Sequence, residues 1–130
     1  MKFLLDTNAV IAVLKGHAGL LGRLRQHARA DFGLPAIVMH ELRYGASKSA
    51  RPGENHARLD AMRFEIVPFD ADDARQAGEI RAVLGRAGTP IGGYDVLIAA
   101  QAVARSLVLV THNIREFARV EGLRTEDWEG

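Results

Sequence analysis

Two short apolar runs, each ending abruptly at polar residues, most constrain the fold of this chain. Residues 3–5 (Phe-Leu-Leu) stop at Asp6, and residues 107–110 (Leu-Val-Leu-Val) stop at Thr111-His112-Asn113. Uninterrupted apolar runs of this length are typical of strands buried on both faces of a parallel sheet. Because open α/β sheets bind ligands where their strands end, we expect Asp6 and Asn113 to face each other at that edge.

Helical and extended patterns alternate between these two runs. We predict helices at about 9–14, 20–28, 35–44, 55–62, 70–86 and 95–104, a short helix around 115–117, further strands at 32–34, 64–69 and around 123–128, and loops at 49–55 and 85–93. Such alternation indicates a parallel sheet with right-handed crossovers. We therefore predict one α/β domain over residues 1–130, with helices on both faces of a sheet of four or five short strands.

Composition excludes several classes of protein. The chain is 48% hydrophobic and 25% charged, as in a globular protein, and no apolar run approaches the ~20 residues of a membrane span. It has no cysteine, which excludes disulfides and thiolate metal sites. We expect an intracellular, cytoplasmic protein without a membrane segment.

Charge is distributed unevenly along the chain. Residues 1–63 contain ten Lys and Arg against five Asp and Glu, whereas residues 64–130 contain seven against eleven. A basic half is compatible with a surface that faces a polyanion, and equally with a solvated face.

Acidic residues stand out by their context. Glu41 lies within an otherwise apolar helical stretch, Asp95 begins an apolar helix after a glycine-rich loop, and Glu116 follows Asn113 by three positions. Each residue also has a structural explanation: Asp6 or Asp95 as a helix N-cap, Glu41 as a surface residue, Asn113 as a turn former. We interpret residues 70, 72 and 73, all aspartates, as capping groups of the helix that they open.

Carboxylates gathered in one pocket favour a bound cation. Two such charges 4 Å apart repel by ~4 kcal/mol at an effective dielectric constant of 20. An oxygen-only set of ligands suits Mg²⁺ or Mn²⁺, which activates bound water and offsets charge on a phosphoryl group. Metal-assisted hydrolysis of a phosphodiester is the chemistry that a pocket formed by Asp6, Glu41 and Asp95 would best support.

Four blocks of sequence carry a family resemblance. They are residues 4–8 (Leu-Leu-Asp-Thr-Asn), 41–45 (Glu-Leu-Arg-Tyr-Gly), 91–100 (Ile-Gly-Gly-Tyr-Asp-Val-Leu-Ile-Ala-Ala) and 109–117 (Leu-Val-Thr-His-Asn-Ile-Arg-Glu-Phe). With these blocks in order, the chain resembles the PIN-domain ribonucleases, in particular the VapC-type toxins of bacterial toxin–antitoxin modules. The resemblance implies a three-layer α/β/α fold.

The resemblance also implies a Mg²⁺- or Mn²⁺-dependent endoribonuclease. Asp6, Glu41 and Asp95 match the family's three principal metal-binding acids, and Thr7 matches a hydroxyl residue that supports the site. Asn113 stands where many members carry a fourth aspartate, which puts a second tightly held ion in doubt. We hypothesise that Glu116 supplies the missing carboxylate.

Substrate and partners follow from the same resemblance. Candidate contacts to RNA phosphates are Arg43, Lys48, Arg51, His112 and Arg115, although each is also explained as a solvated surface charge. Toxins of this type cut structured RNAs such as transfer RNA, form homodimers, and are held inactive by a cognate VapB-type antitoxin that enters the active-site groove.

Two other functions compete with this interpretation. A phosphatase with an aspartyl nucleophile normally needs a second acid two residues after the first, and position 8 is Asn8. A non-catalytic module of the same fold, acting through a partner protein, is the second alternative, and Asn113 leaves it open. The three retained acids argue against it, because a non-catalytic module has little physical reason to hold clustered like charges.

Overall fold

The computed structural model describes all 130 residues, and a five-stranded sheet forms its centre. The strands are β1 (Phe3–Leu5), β2 (Phe32–Pro35), β3 (Glu65–Val67), β4 (Val108–Val110) and β5 (Arg124–Glu126). Their order in the sheet is β3-β2-β1-β4-β5, and every neighbouring pair is parallel.

Seven α-helices flank this sheet. They are α1 (Thr7–Leu14), α2 (Ala18–Leu24), α3 (Ala36–Ser47), α4 (Pro52–Met62), α5 (Ala71–Arg86), α6 (Gly93–Ala104) and α7 (Ile114–Phe117), with a 3-10 turn at Arg29–Asp31. The predicted α/β/α architecture with four or five short parallel strands is confirmed. None of these helices combines the length and the apolar character needed to cross a lipid bilayer.

The core is densest around the central strand. β1 is buried along its whole length, and α6 buries five consecutive residues from Ile98 to Ala102, as its nearly all-apolar pattern predicts. The Trp128 ring lies 5.0 Å from that of Phe3 and 5.9 Å from that of Phe32. The last residues of the chain therefore pack against its first strand.

Several predicted boundaries were wrong. The expected loop at 49–55 is shorter, since α4 already begins at Pro52, a residue that helices accept in their first turn. The helix expected at 20–28 runs from Ala18 to Leu24, and the strand expected at 64–69 is only Glu65–Val67. In the predicted loop at 85–93, α5 continues to Arg86 and α6 begins at Gly93.

The predicted cap of α5 is present and belongs to a small charged network. The Asp73 backbone N–H donates to Asp70 Oδ1 (3.0 Å) and the Asp70 N–H to Asp73 Oδ2 (2.9 Å), which is a capping box. The Asp73 side chain is 1% exposed and pairs with Arg105 at 3.0 Å. Arg105 also pairs with Asp70 and donates to the Pro68 carbonyl. A cation thus balances the buried acid of this network.

Candidate active site

The candidate site lies where the strand order reverses. From β1 the chain moves outward through β2 to β3, and then returns to the other side of β1 with β4. The crevice outside the carboxyl ends of the strands at such a switch point is where open α/β sheets bind ligands. Asp6 follows β1 there, and its backbone N–H donates to the Val110 carbonyl at the end of β4. Asp6 and Asn113 therefore leave adjacent strands, as expected.

Asp6 both caps a helix and lies in the site. Its Oδ1 accepts a hydrogen bond from the Ala9 backbone N–H at 2.8 Å, so the capping interpretation holds, and the residue is 5% exposed. Burial raises the pKa of Asp6, and nearby Glu129 and Glu41 raise it further, whereas hydrogen bonds from Thr111 and Ala9 oppose the shift. The Asp6 carboxylate is therefore rigidly held and poorly solvated.

Glu41 reaches the site from α3. The Thr7 hydroxyl donates to Glu41 Oε1 at 3.0 Å, joining residues 34 positions apart in sequence. Glu41 is half-buried rather than a solvated surface residue, and its charge raises the pKa values of both Asp6 and Asp95. This hydrogen bond fixes one oxygen of Glu41, and the supporting role that the resemblance implied for Thr7 stays a prediction.

Asp95 is the most perturbed group of the site. It is the third residue of α6, whose N-cap is Gly92, so its side chain is not the cap. Its pKa is raised to about 6 by burial and then by the charges of Glu116, Asp6 and Glu41. A Cβ atom added to Gly92 would lie 3.0 Å from Asp95 Oδ2, which shows how closely the backbone approaches this carboxylate.

Glu116 and Asn113 form a connected pair at the edge of the site. Glu116 Oε1 accepts from the Gly92 backbone N–H at 2.9 Å, and Oε2 accepts from Asn113 Nδ2 at 2.7 Å. These two bonds lower the pKa of Glu116 and keep it ionised beside Asp95. Glu116 therefore supplies a fourth carboxylate to the neighbourhood and also ties the glycine-rich loop to α7.

Four carboxylates thus act on one another at this switch point. The donor set for an ion consists of oxygens from Asp6, Glu41 and Asp95, with Glu116 and the Asn113 amide beside them. Hard divalent cations such as Mg²⁺ and Mn²⁺ prefer this set. Burial, and then the charges of the neighbouring carboxylates, disfavour the ionised form of Asp95, and a divalent cation held there would stabilise that form. The residues present fit such an ion.

The five candidate RNA contacts have different surroundings. Arg43 pairs with Asp60 and donates to the His56 carbonyl, and Arg51 pairs with Glu54 at 3.4 Å. Lys48 lies over the Tyr44 ring, and Arg115 is exposed on α7. His112 Nδ1 lies 3.0 Å from Asp127 Oδ2, which raises the pKa of the imidazole.

Sequence reasoning missed three neighbours of the site: Thr111, Asp127 and Glu129. Thr111 directly follows β4 and supports the Asp6 carboxylate. Asp127 and Glu129 follow β5, and their carboxylates lie with the His112 ring within 4.8 Å of one another. Their positions at the ends of predicted strands could have identified them, because polar residues that follow any strand of a parallel sheet reach the same edge.

A parallel α/β sheet with an acidic cluster at its switch point is the architecture that the resemblance predicts, and comparison with known proteins agrees. The PIN-domain profile matches residues 3–123, so the chain belongs to the PIN-domain family. The "tRNA(fMet)-specific endonuclease VapC" of Salmonella typhimurium is 42% identical, over 98% of both chains. "Ribonuclease VapC2" of Haemophilus influenzae is 40% identical, again over 98% of both.

Solved structures show the same fold. A DNA-bound VapBC from Salmonella typhimurium superposes with a TM-score of 0.93 at 40% identity, covering 98% of each chain. VapBC2 from Rickettsia felis, bound to a fragment of its promoter, gives 0.90 at 36% identity, covering 98% of this chain and 99% of the other. Both of these structures are VapBC assemblies bound to DNA.

Proposed function

We propose that this chain is an endoribonuclease of the VapC type, dependent on Mg²⁺ or Mn²⁺, in which Asp6, Glu41 and Asp95 hold the ion. The observation that carries the proposal is the convergence of the carboxylates of Asp6, Glu41, Asp95 and Glu116 at the switch point, where burial, and then the charges of the other three, raise the pKa of Asp95 to about 6. Within this set the ion would activate water and offset charge on the phosphodiester. The relatives named as ribonucleases, similar over nearly their full length, support the reaction class.

The chain's own residues prepare the site before any substrate arrives. Asp6 is immobilised by its cap to Ala9, and Glu41 is oriented by the Thr7 hydroxyl. Glu116 holds the Gly92 backbone and so sets where α6 begins, and with it the position of Asp95. Fixed carboxylates of this kind need little rearrangement when the ion and the phosphate bind.

The partners and the cellular role follow from the relatives. We propose that the chain is the toxin of a VapBC pair in the cytoplasm, that it forms a homodimer, and that a VapB-type antitoxin inhibits it. The complexes solved for Salmonella typhimurium and Rickettsia felis support the antitoxin. The name of the Salmonella relative makes initiator transfer RNA the first substrate to test.

The test combines ion binding with cleavage. Mg²⁺ and Mn²⁺ are titrated by calorimetry into the wild type, Asp6→Asn and the control Asp72→Asn, an exposed acid in the first turn of α5. The same samples are incubated with total RNA. We expect Asp6→Asn to lose ion binding and to cut at least 100-fold more slowly, since removing one electrostatic contact in an active site costs about 3 kcal/mol, while asparagine still caps α1.

Two results would contradict the proposal. Full cleavage by a folded Asp6→Asn variant would remove Asp6 from the reaction. A wild type that binds no divalent ion and cuts no RNA, even when purified free of any partner, would favour the non-catalytic alternative. The non-catalytic alternative rests on Asn113, whose side chain offers a neutral amide in place of a fourth ionised ligand.

A further inference from the structure

The exposed aromatic rings of this protein are concentrated beside the acidic pocket. The chain has two tyrosines, Tyr44 at 63% and Tyr94 at 50% exposure, whereas every phenylalanine and the tryptophan are buried or partly buried. Tyr94 directly precedes Asp95, and Tyr44 lies one helical turn beyond His40, the neighbour of Glu41. Exposed tyrosines present rigid rings with a polar hydroxyl, which suit them to stacking against a ligand.

Four exposed side chains on α3, its C-cap and α6 make up a surface that we call the aromatic strip: His40, Tyr44, Lys48 and Tyr94. The His40 and Tyr94 rings meet edge to face with centroids 5.3 Å apart, joining α3 to α6. The Lys48 ammonium lies 4.7 Å from the centre of the Tyr44 ring. Residues 40, 44 and 48 follow one another at four-residue spacing, which keeps them on one side of α3 and its C-cap.

We propose that the aromatic strip binds unpaired bases of the RNA next to the bond that is cut. Proteins hold single-stranded nucleic acid by stacking bases on exposed aromatic rings and by contacting phosphates with cations, and the strip offers both. Tyr94 and Asp95 share the first turn of α6. The His40 ring that Tyr94 contacts belongs to the residue before Glu41, so the strip borders the carboxylates on both helices. The inference rests on the proposed nuclease function and adds to it the side chains that hold the nucleotide beside the bond that is cut.

The charge of the region favours the same occupant. Without a bound ion the acidic pocket repels an RNA backbone, so contacts outside the carboxylate cluster add to the affinity. Lys48 provides a positive charge on the strip, and base stacking provides binding energy that does not depend on charge. The edge-to-face contact with His40 also orients the Tyr94 ring before RNA binds, which lowers the entropic cost of stacking.

The test measures stacking directly, in the Asp6→Asn background so that the RNA stays intact. The probe is a short single-stranded RNA containing 2-aminopurine, whose fluorescence is quenched when the base stacks. We expect Tyr94→Ala and Tyr44→Ala to weaken binding roughly 5- to 100-fold and to relieve quenching. The variants Tyr94→Phe and Tyr44→Phe keep the ring and should stay close to the parent. Val83→Ala, at a residue of α5 that is 51% exposed, is the matched control.

Cleavage by otherwise wild-type protein separates this inference from the proposed function. We expect Tyr94→Ala to raise KM for a single-stranded substrate with little change in kcat. Unchanged KM with persisting cleavage would overturn the role of the strip and leave the nuclease intact. Absence of cleavage by the wild type would overturn both. If Tyr94→Ala and Tyr44→Ala instead convert a dimer to monomers in sedimentation without altering the quenching, the strip is a contact between two copies of the chain.

Discussion

The two clusters of aspartates in this protein have opposite electrostatic character. In the first, Asp73 is almost completely buried, but Arg105 pairs with it and with Asp70. There a hydrogen bond from the Asp73 backbone holds the pKa of Asp70 below its ordinary value. In the second, at the switch point, burial and neighbouring carboxylates raise the pKa values of Asp6 and Asp95.

The difference separates structural acids from functional ones better than burial does. A buried carboxylate with its own cation contributes to the fold, and its network needs nothing further. A group of carboxylates without one destabilises the fold unless a ligand supplies the charge, and perturbed groups of this kind concentrate at functional sites. Three substitutions test the comparison.

The largest expected effect on stability is in the cluster of Asp70, Asp73 and Arg105. Arg105→Met leaves Asp73 buried beside Asp70 without its cation, and we expect the free energy of unfolding to fall by about 2 kcal/mol, a value reduced for the partial exposure of Arg105. Urea denaturation measures it. Arg75→Met, which breaks an exposed pair with Glu79 at 3.6 Å, should change stability by less than about 0.5 kcal/mol. Equal effects of the two substitutions would show that Arg105 does not balance the cluster.

A smaller effect of opposite sign is expected at the pocket. The pKa of Asp95 is about 6 in the fold against an ordinary value of 3.8, so the folded protein holds this proton more tightly than the unfolded chain. Ionisation of Asp95 therefore costs stability as the pH rises from about 4 to 6, and the cost persists at pH 7. At pH 7 we expect the free energy of unfolding of Asp95→Asn to exceed that of the wild type by about 1–2 kcal/mol, a value discounted for partial exposure. At pH 4 the two proteins should be about equally stable.

Divalent ions should reduce this difference in stability between the wild type and Asp95→Asn. Millimolar Mg²⁺ is expected to raise the melting temperature of the wild type at pH 7 more than that of Asp95→Asn, because only the wild type gains compensation for its charges. A wild type that is as stable as the variant at pH 7 without ions would mean that the pocket is already balanced.

The smallest effect concerns the approach of Gly92 to Asp95. Gly92→Ala places a methyl group 3.0 Å from Asp95 Oδ2, so the carboxylate must shift by a few tenths of an ångström. We expect Mn²⁺ affinity, measured by calorimetry, to weaken by roughly 3- to 10-fold, about 1 kcal/mol. Gly93→Ala adds the same methyl group where nothing lies within 4 Å and should leave the affinity unchanged. Identical affinities for the two variants would show that the close approach does not position Asp95.

Local sequence patterns predicted the sheet and part of the pocket. Apolar runs located β1 and β4, and parallel geometry then brought Asp6 and Asn113 to one edge. Glu41 and Asp95 were identified as acids out of keeping with their apolar surroundings. The strands were predicted correctly because strand direction and residue polarity are properties of short segments, whereas the role of the acids stays a prediction.

Contacts between distant segments were not predictable in this way. The bond from Thr7 to Glu41 and the pair of Asp73 with Arg105 join residues 34 and 32 positions apart. The Gly92–Glu116 bond depends on how α6 and α7 pack, which no local pattern specifies. The start of α4 at Pro52 was missed because proline and glycine together suggest a loop, although helices accept proline in the first turn.

The packing of Trp128 on Phe3 has a consequence for synthesis on the ribosome. The central strand is made first, yet β4, its neighbour on one side, and the Trp128 ring that covers it are made last. Contacts of such long sequence separation form late and slowly. During translation, the nascent chain therefore carries Asp6 and Glu41 before Asp95, and the complete acidic pocket arises only once α6 and α7 have left the exit tunnel.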